Sequence, residues 1–69
     1  MLITVDRIKI LQFLFDRQIT VKKFAQLAGV SMQAAKNAIS GKRLQIPAVA
    51  KIASAMGIEP NDLIVGGEF

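Results

Sequence analysis

The chain predicts an all-α fold, a compact bundle of five helices, and three observations carry that expectation. Of the 69 residues, 52% are hydrophobic, drawn largely from Ala, Ile, Leu and Val, with four Phe and no Trp or Tyr. Side chains of that size suit close-packed short helices. Apolar residues recur at three-to-four spacing in successive windows, and Gly29, Gly41 and Gly57 follow those windows where a helix would stop. So short a chain buries only about 60% of its unfolded surface. Residues 1–69 are therefore expected to form one domain with its core over 4–64, leaving little room for a catalytic cleft.

The first helix is expected from a cap at Thr4 or Asp6 to about Arg17, with Ile8, Leu11, Leu14 and Phe15 as its apolar stripe. Ile10 and Phe13 fall partly off that stripe, so the helix is either buried on more than one side or meets a partner. Thr20 caps a second helix, Val21 to about Ala28, with Phe24, Leu27 and Ala28 inward and Lys22, Lys23 and Gln26 outward. Gly29 ends it, because glycine enters the left-handed conformation of a helix C-terminus without steric penalty. Val30 then fills the turn. Ser31 caps a third helix, Met32 to about Ser40, which Gly41 closes. Pro47 opens a fourth helix at the position where a missing N–H does no harm. Its inward face is Ile46, Val49, Ile52, Ala53 and Met56, and Gly57 stops it. Pro60 opens a short fifth helix through Asn61, Asp62, Leu63 and Ile64, and residues 65–69 are expected to fray.

Composition excludes several kinds of chemistry. With no Cys and no His, disulfides, thiol nucleophiles, imidazole bases and the commonest zinc ligands are ruled out. Neither an enzyme, a cofactor nor a metal is expected. No apolar run approaches the roughly 18 residues of a membrane span, and the first residues lack a basic leader pattern. A cytoplasmic protein is the expectation.

The net charge is +4, and its distribution is more informative than its size. Arg17, Lys22, Lys23, Lys36, Lys42, Arg43 and Lys51 occupy a stretch with no acidic residue, whereas Asp6, Asp16, Glu59, Asp62 and Glu68 lie outside it. A polyanionic partner fits that field, since neutralised phosphates release counterions. Within the basic stretch, Thr20 to Gly41 reads as two short amphipathic helices hinged at Gly29, a helix-turn-helix whose second helix can enter the major groove of DNA. Ala35 and Ala38 fall inward on that helix. Met32, Gln33, Lys36, Asn37 and Ser40 face solvent.

Phe24-Ala25, Gly29-Val30-Ser31, Gly41-Lys42, Lys51-Ile52-Ala53 and Met56-Gly57-Ile58, with Asp62-Leu63 closing, together resemble the Cro and phage-repressor family of helix-turn-helix proteins, also called XRE. The resemblance covers roughly Ile8 to Ile64. It implies a lambda-repressor-like bundle in which the second and third helices form the DNA-reading unit. It also implies base contact at positions matching Met32, Gln33 and Asn37, with Lys36 nearby. Three residues depart from the family pattern: Ala35 and Ala38 where Ile or Val is commoner, Ile39 where a polar residue is frequent, and Val21 where a phosphate-binding Gln is frequent.

Met32, Gln33, Lys36 and Asn37 are thus the expected base contacts. Gln33 and Asn37 lie one turn apart, and each carries a carboxamide able to bond adenine N6 and N7 together. Lys36 suits guanine or a phosphate, and Met32 a thymine methyl. Thr20, Lys22, Lys23, Ser31, Ser40, Lys42 and Arg43 are the expected phosphate contacts. The expected function is operator binding by a small repressor-like regulator. Its partner is double-stranded DNA, with two copies of the chain on an inverted repeat because one helix spans few base pairs. Two other readings stay open. One is a protein-interaction module of the same fold, an antitoxin or adaptor using Ile39, Ile10 and Phe13, and the other is a charge-driven binder without sequence preference.

Overall fold

A computed structural model describes residues 2–67. The elements run β1 (Leu2–Val5), α1 (Arg7–Arg17), α2 (Val21–Ala28), α3 (Met32–Ile39), β2 (Leu44–Gln45), α4 (Ile46–Met56), α5 (Pro60–Leu63) and β3 (Ile64–Gly67). All five expected helices are present. The all-α expectation needs correction, because the strands form a small antiparallel sheet in the order β2-β1-β3. Leu2 lies opposite Gln45 and Ile3 opposite Leu44 on one side of β1, while on the other Ile3 faces Gly67, Thr4 faces Gly66 and Val5 faces Ile64. Strands this short show too little alternation to be legible in sequence. Their partners come from the far end of the chain and the middle, so only folding brings them together.

The sheet changes the reading of both ends. Thr4 belongs to β1, and Asp6 is the cap of α1, its Oδ1 accepting from the N–H groups of Ile8 (3.1 Å) and Lys9 (3.3 Å). Ile3 and Val5 are buried, so the core begins before residue 4. Ile64, expected to close the fifth helix, starts β3 instead. Val65, Gly66 and Gly67, expected in a frayed tail, also lie in β3, and Glu68 and Phe69 fall outside the described residues.

The helix faces are partly rotated from expectation. In α1 the inward residues are Ile10 (0% exposed) and Leu14, while Ile8 (50%) and Phe15 (77%) face solvent. Two stripes at helical spacing lie side by side on this helix, and hydrophobicity does not choose between them. The anchors at its start do: the Asp6 N–H donates to Leu63 O (2.8 Å), and Lys9 Nζ donates to Asp62 O. In α2 the buried set is Phe24, Ala25 and Ala28, and Leu27 is exposed. Small residues face the α3 crossing because it brings the two backbones close. In α4 the helix starts at Ile46, one residue before Pro47. Val49, Ile52 and Ala53 are buried, Ile46 is exposed and Met56 is half-buried.

One terminating motif recurs at the end of α1, α2, α3 and α4. The residue after each helix, or the next one at α3, takes a left-handed conformation: Gln18 (φ 54), Gly29 (φ 73), Gly41 (φ 76) and Gly57 (φ 73). The following N–H then reaches back five residues: Ile19 to Leu14 O, Val30 to Ala25 O, Lys42 to Asn37 O and Ile58 to Ala53 O. This satisfies carbonyls that the helix would otherwise leave unpaired. Ile19, Val30 and Ile58 also pack against the core, so three of the four turns are held by an apolar plug. The fourth plug position is Lys42, which is exposed and projects from the end of α3.

Candidate nucleic-acid interface

The side chains proposed to meet DNA are placed by α2 and α3, and the sequence explains why those helices stand as they do. Thr20 Oγ1 accepts from the Lys23 N–H (3.1 Å), and Ser31 Oγ accepts from the Ala34 N–H (3.1 Å), so each helix begins on a hydroxyl cap. Such a cap stabilises a helix by about 1 kcal/mol. Between the helices Gly29 makes the turn, and half-buried Val30 fills the angle. Ala35 and Ala38 are both 0% exposed, so α3 approaches the core closely where larger residues would hold it away. Ile39 and Val21 are half-buried against the core.

The opposite face of α3 is open. Met32 (40% exposed), Gln33, Lys36 and Ser40 face solvent, and Asn37 is half-buried at the margin of that face. Gln33 Nε2 donates to Asn37 Oδ1 at 2.9 Å, joining the two carboxamides along one side of the helix. Beside them is a concavity of about 280 Å³ between α3 and the start of α4. Its polar lining is Ser31, Gln33, Asn37, Arg43 and Gln45.

Thr20, Lys22, Lys23, Ser31, Ser40, Lys42 and Arg43 are all exposed. The Thr20 and Ser31 oxygens are engaged as caps, and each hydroxyl keeps its proton to donate elsewhere. Ser40 is the residue that ends α3, and Lys42 and Arg43 follow it directly. Arg17, part of the basic stretch, lies over the Phe13 ring at 5.0 Å from its centroid, and Phe13 in turn packs on Phe24. That stacking gives Arg17 a structural role at the end of α1.

Two residues near this surface escaped the sequence reading. Gln45 lines the same concavity as Gln33 and Asn37, held there by the pairing of β2 with β1. Arg7 runs beside Gly41, its Cδ 3.4 Å from where a β-carbon on that glycine would sit. Its side chain therefore passes the turn that follows α3. Nothing in sequence spacing signals either placement, since each depends on a contact across the fold.

Of the three residues offered as a protein-docking patch, one is removed by the fold. Ile10 is fully buried, and Phe13 and Ile39 are half-buried against the core. Among the described residues no cluster of acidic side chains could hold a metal ion, and no helix is long and apolar enough to cross a membrane.

Two short capped helices joined at a left-handed glycine, the second closely seated below and polar above, define a helix-turn-helix domain. The family model of the Cro/C1-type HTH DNA-binding domain matches residues 9–65. The chain belongs to that family, and DNA binding is the function its membership carries. Neither curated proteins nor solved structures gave a match.

Proposed function

We propose that the protein is a small transcriptional regulator that recognises a specific double-stranded DNA operator with α3 in the major groove. The observation that carries this reading is the open face of α3. Met32, Gln33, Lys36 and Asn37 lie together on a helix whose other side is sealed by Ala35 and Ala38. The major groove admits a helix and presents a distinct donor and acceptor pattern for each base pair, and a carboxamide matches adenine there. Lys22, Lys23, Lys42 and Arg43, with Thr20, Ser31 and Ser40, flank that face and serve the phosphates on either side. Those contacts set orientation and supply affinity common to all sequences.

One short reading helix contacts few base pairs, so the regulator acts as a homodimer on an inverted repeat with half-sites about 34 Å apart. Ile8 and Phe15 on α1 and Val65 on β3 are exposed apolar residues outside the DNA-reading face, available for contact between copies. Binding that occludes or recruits polymerase requires no catalysis.

Selection from a random duplex pool at about physiological salt, with competitor DNA present, tests the proposal. Enrichment of an inverted repeat is the expected result. Salt-sensitive retention without enrichment would replace it with charge-driven binding, and no retention at all would remove DNA as the partner of this surface.

A further inference from the structure

Gln33 and Asn37 have the same chemical head group, yet their surroundings differ. Gln33 is exposed, with the longer side chain, while Asn37 is half-buried beside the concavity and has the shorter one. The bond between them has a direction: Gln33 Nε2 donates and Asn37 Oδ1 accepts, at 2.9 Å. A carboxamide carries two N–H groups, one on the same edge as its oxygen and one on the far side. Adenine is read by the oxygen and the N–H that share an edge. Giving the far N–H to a neighbour leaves that edge complete and fixes its rotation. Asn37 is placed the other way: one lone pair of its oxygen is taken by Gln33, and its shorter side chain is half-buried.

We propose that Asn37 is a positioning residue for Gln33, holding the Gln33 carboxamide so that its Oε1 and remaining N–H meet an adenine. The proposal rests on the reading of α3 as the base-contacting helix. It makes Gln33 the residue that determines specificity at one base pair, with Asn37 acting at that same base pair without touching it. A free glutamine must be ordered from many rotamers on binding, whereas one already tethered has less freedom left to lose.

The test uses the selected operator and duplexes in which each base pair beneath α3 is changed in turn, with the affinity ratio as the readout. Gln33→Ala should abolish preference at one base pair. Asn37→Ala should lower the adenine preference at that same base pair by about 5–10-fold, within the range of one bidentate contact. The double variant should be no less selective than Gln33→Ala alone.

Asn37→Asp separates positioning from direct reading. A carboxylate still accepts from Gln33 but cannot donate to adenine N7. Its charge weakens binding to all duplexes alike, which cancels in the ratio. The adenine preference should therefore survive within about twofold, as its discrimination depends on Gln33 alone. Loss of preference in Asn37→Asp as large as in Asn37→Ala, a change at a second base pair, or an unchanged preference in Asn37→Ala would each overturn the proposal. If Gln33→Ala leaves every base preference intact, the reading of α3 itself falls, and the positioning role falls with it.

Discussion

Gln18 ends α1 at φ 54, a left-handed conformation that the other three equivalent turns give to glycine. A β-carbon there crowds the following carbonyl and costs roughly 1–2 kcal/mol, part of which glycine returns through its freer unfolded chain. Gln18→Gly should accordingly raise stability by about 0.5–1 kcal/mol, read as a higher midpoint in urea. A lower midpoint would show that the glutamine side chain contributes something the turn geometry does not reveal. On the proposed function, single residues on α3 and just beyond it divide into those that choose a sequence and those that hold any sequence. Gln33→Ala should weaken operator binding by about 1–3 kcal/mol and relax one base pair. Lys42→Ala, at the exposed end of the same helix, should weaken operator and random duplex by the same factor, checked by titrating both. The carboxamides were legible in sequence because helical spacing alone puts positions four apart on one face. The bond between them was not, since it depends on rotamers.

At the level of elements, α3 is set by two alanines. Ala35 and Ala38 are both fully buried. They belong to one buried core cluster with Phe24 and Leu14. Ala38→Leu should overpack that cluster and destabilise the domain by about 1–3 kcal/mol, seen by thermal denaturation. Because the strain falls beneath the reading helix, operator affinity should fall further than the folded fraction explains. An affinity loss fully accounted for by unfolding would show that α3 is not displaced. Ends of elements were easier to foresee than faces. Thr20, Ser31, Gly29 and Gly57 act locally, through hydroxyl caps and left-handed turns, so their roles are written in adjacent residues. The rotation of α1 is not local. It is fixed by bonds from Asp6 and Lys9 to the α5 backbone, and this leaves Phe15 in solvent and Ile10 in the core.

Across the whole molecule, α2, α3 and the turn after it lie within the stretch from Arg17 to Lys51 that carries basic residues and no acidic one. Lys22, Lys23, Lys42 and Arg43 are the cations proposed for phosphates, and Arg17 is stacked on Phe13. Four neutralised phosphates per copy predict a slope of log K against log salt of about −3.6 per protomer, or about −7 for a dimer on its operator. A slope near −2 for the dimer would mean that most of these cations do not meet the backbone. Arg7, brought beside Gly41, would make the slope steeper if it takes part.

Sequence by itself determined the five helices, the hydroxyl caps at Thr20 and Ser31, the glycine stops after α2, α3 and α4, the inward alanines and open polar face of α3, and the basic stretch around it. Each follows from interactions between residues a few positions apart or from composition, and such information survives without a fold. Tertiary structure decided the sheet, the rotation of α1, the burial of Ile10 and the placing of Gln45 beside α3 and of Arg7 beside Gly41. Those depend on backbone pairing and packing between segments far apart in the chain. Short strands and doubly striped helices are compatible with several such arrangements until the whole core is assembled.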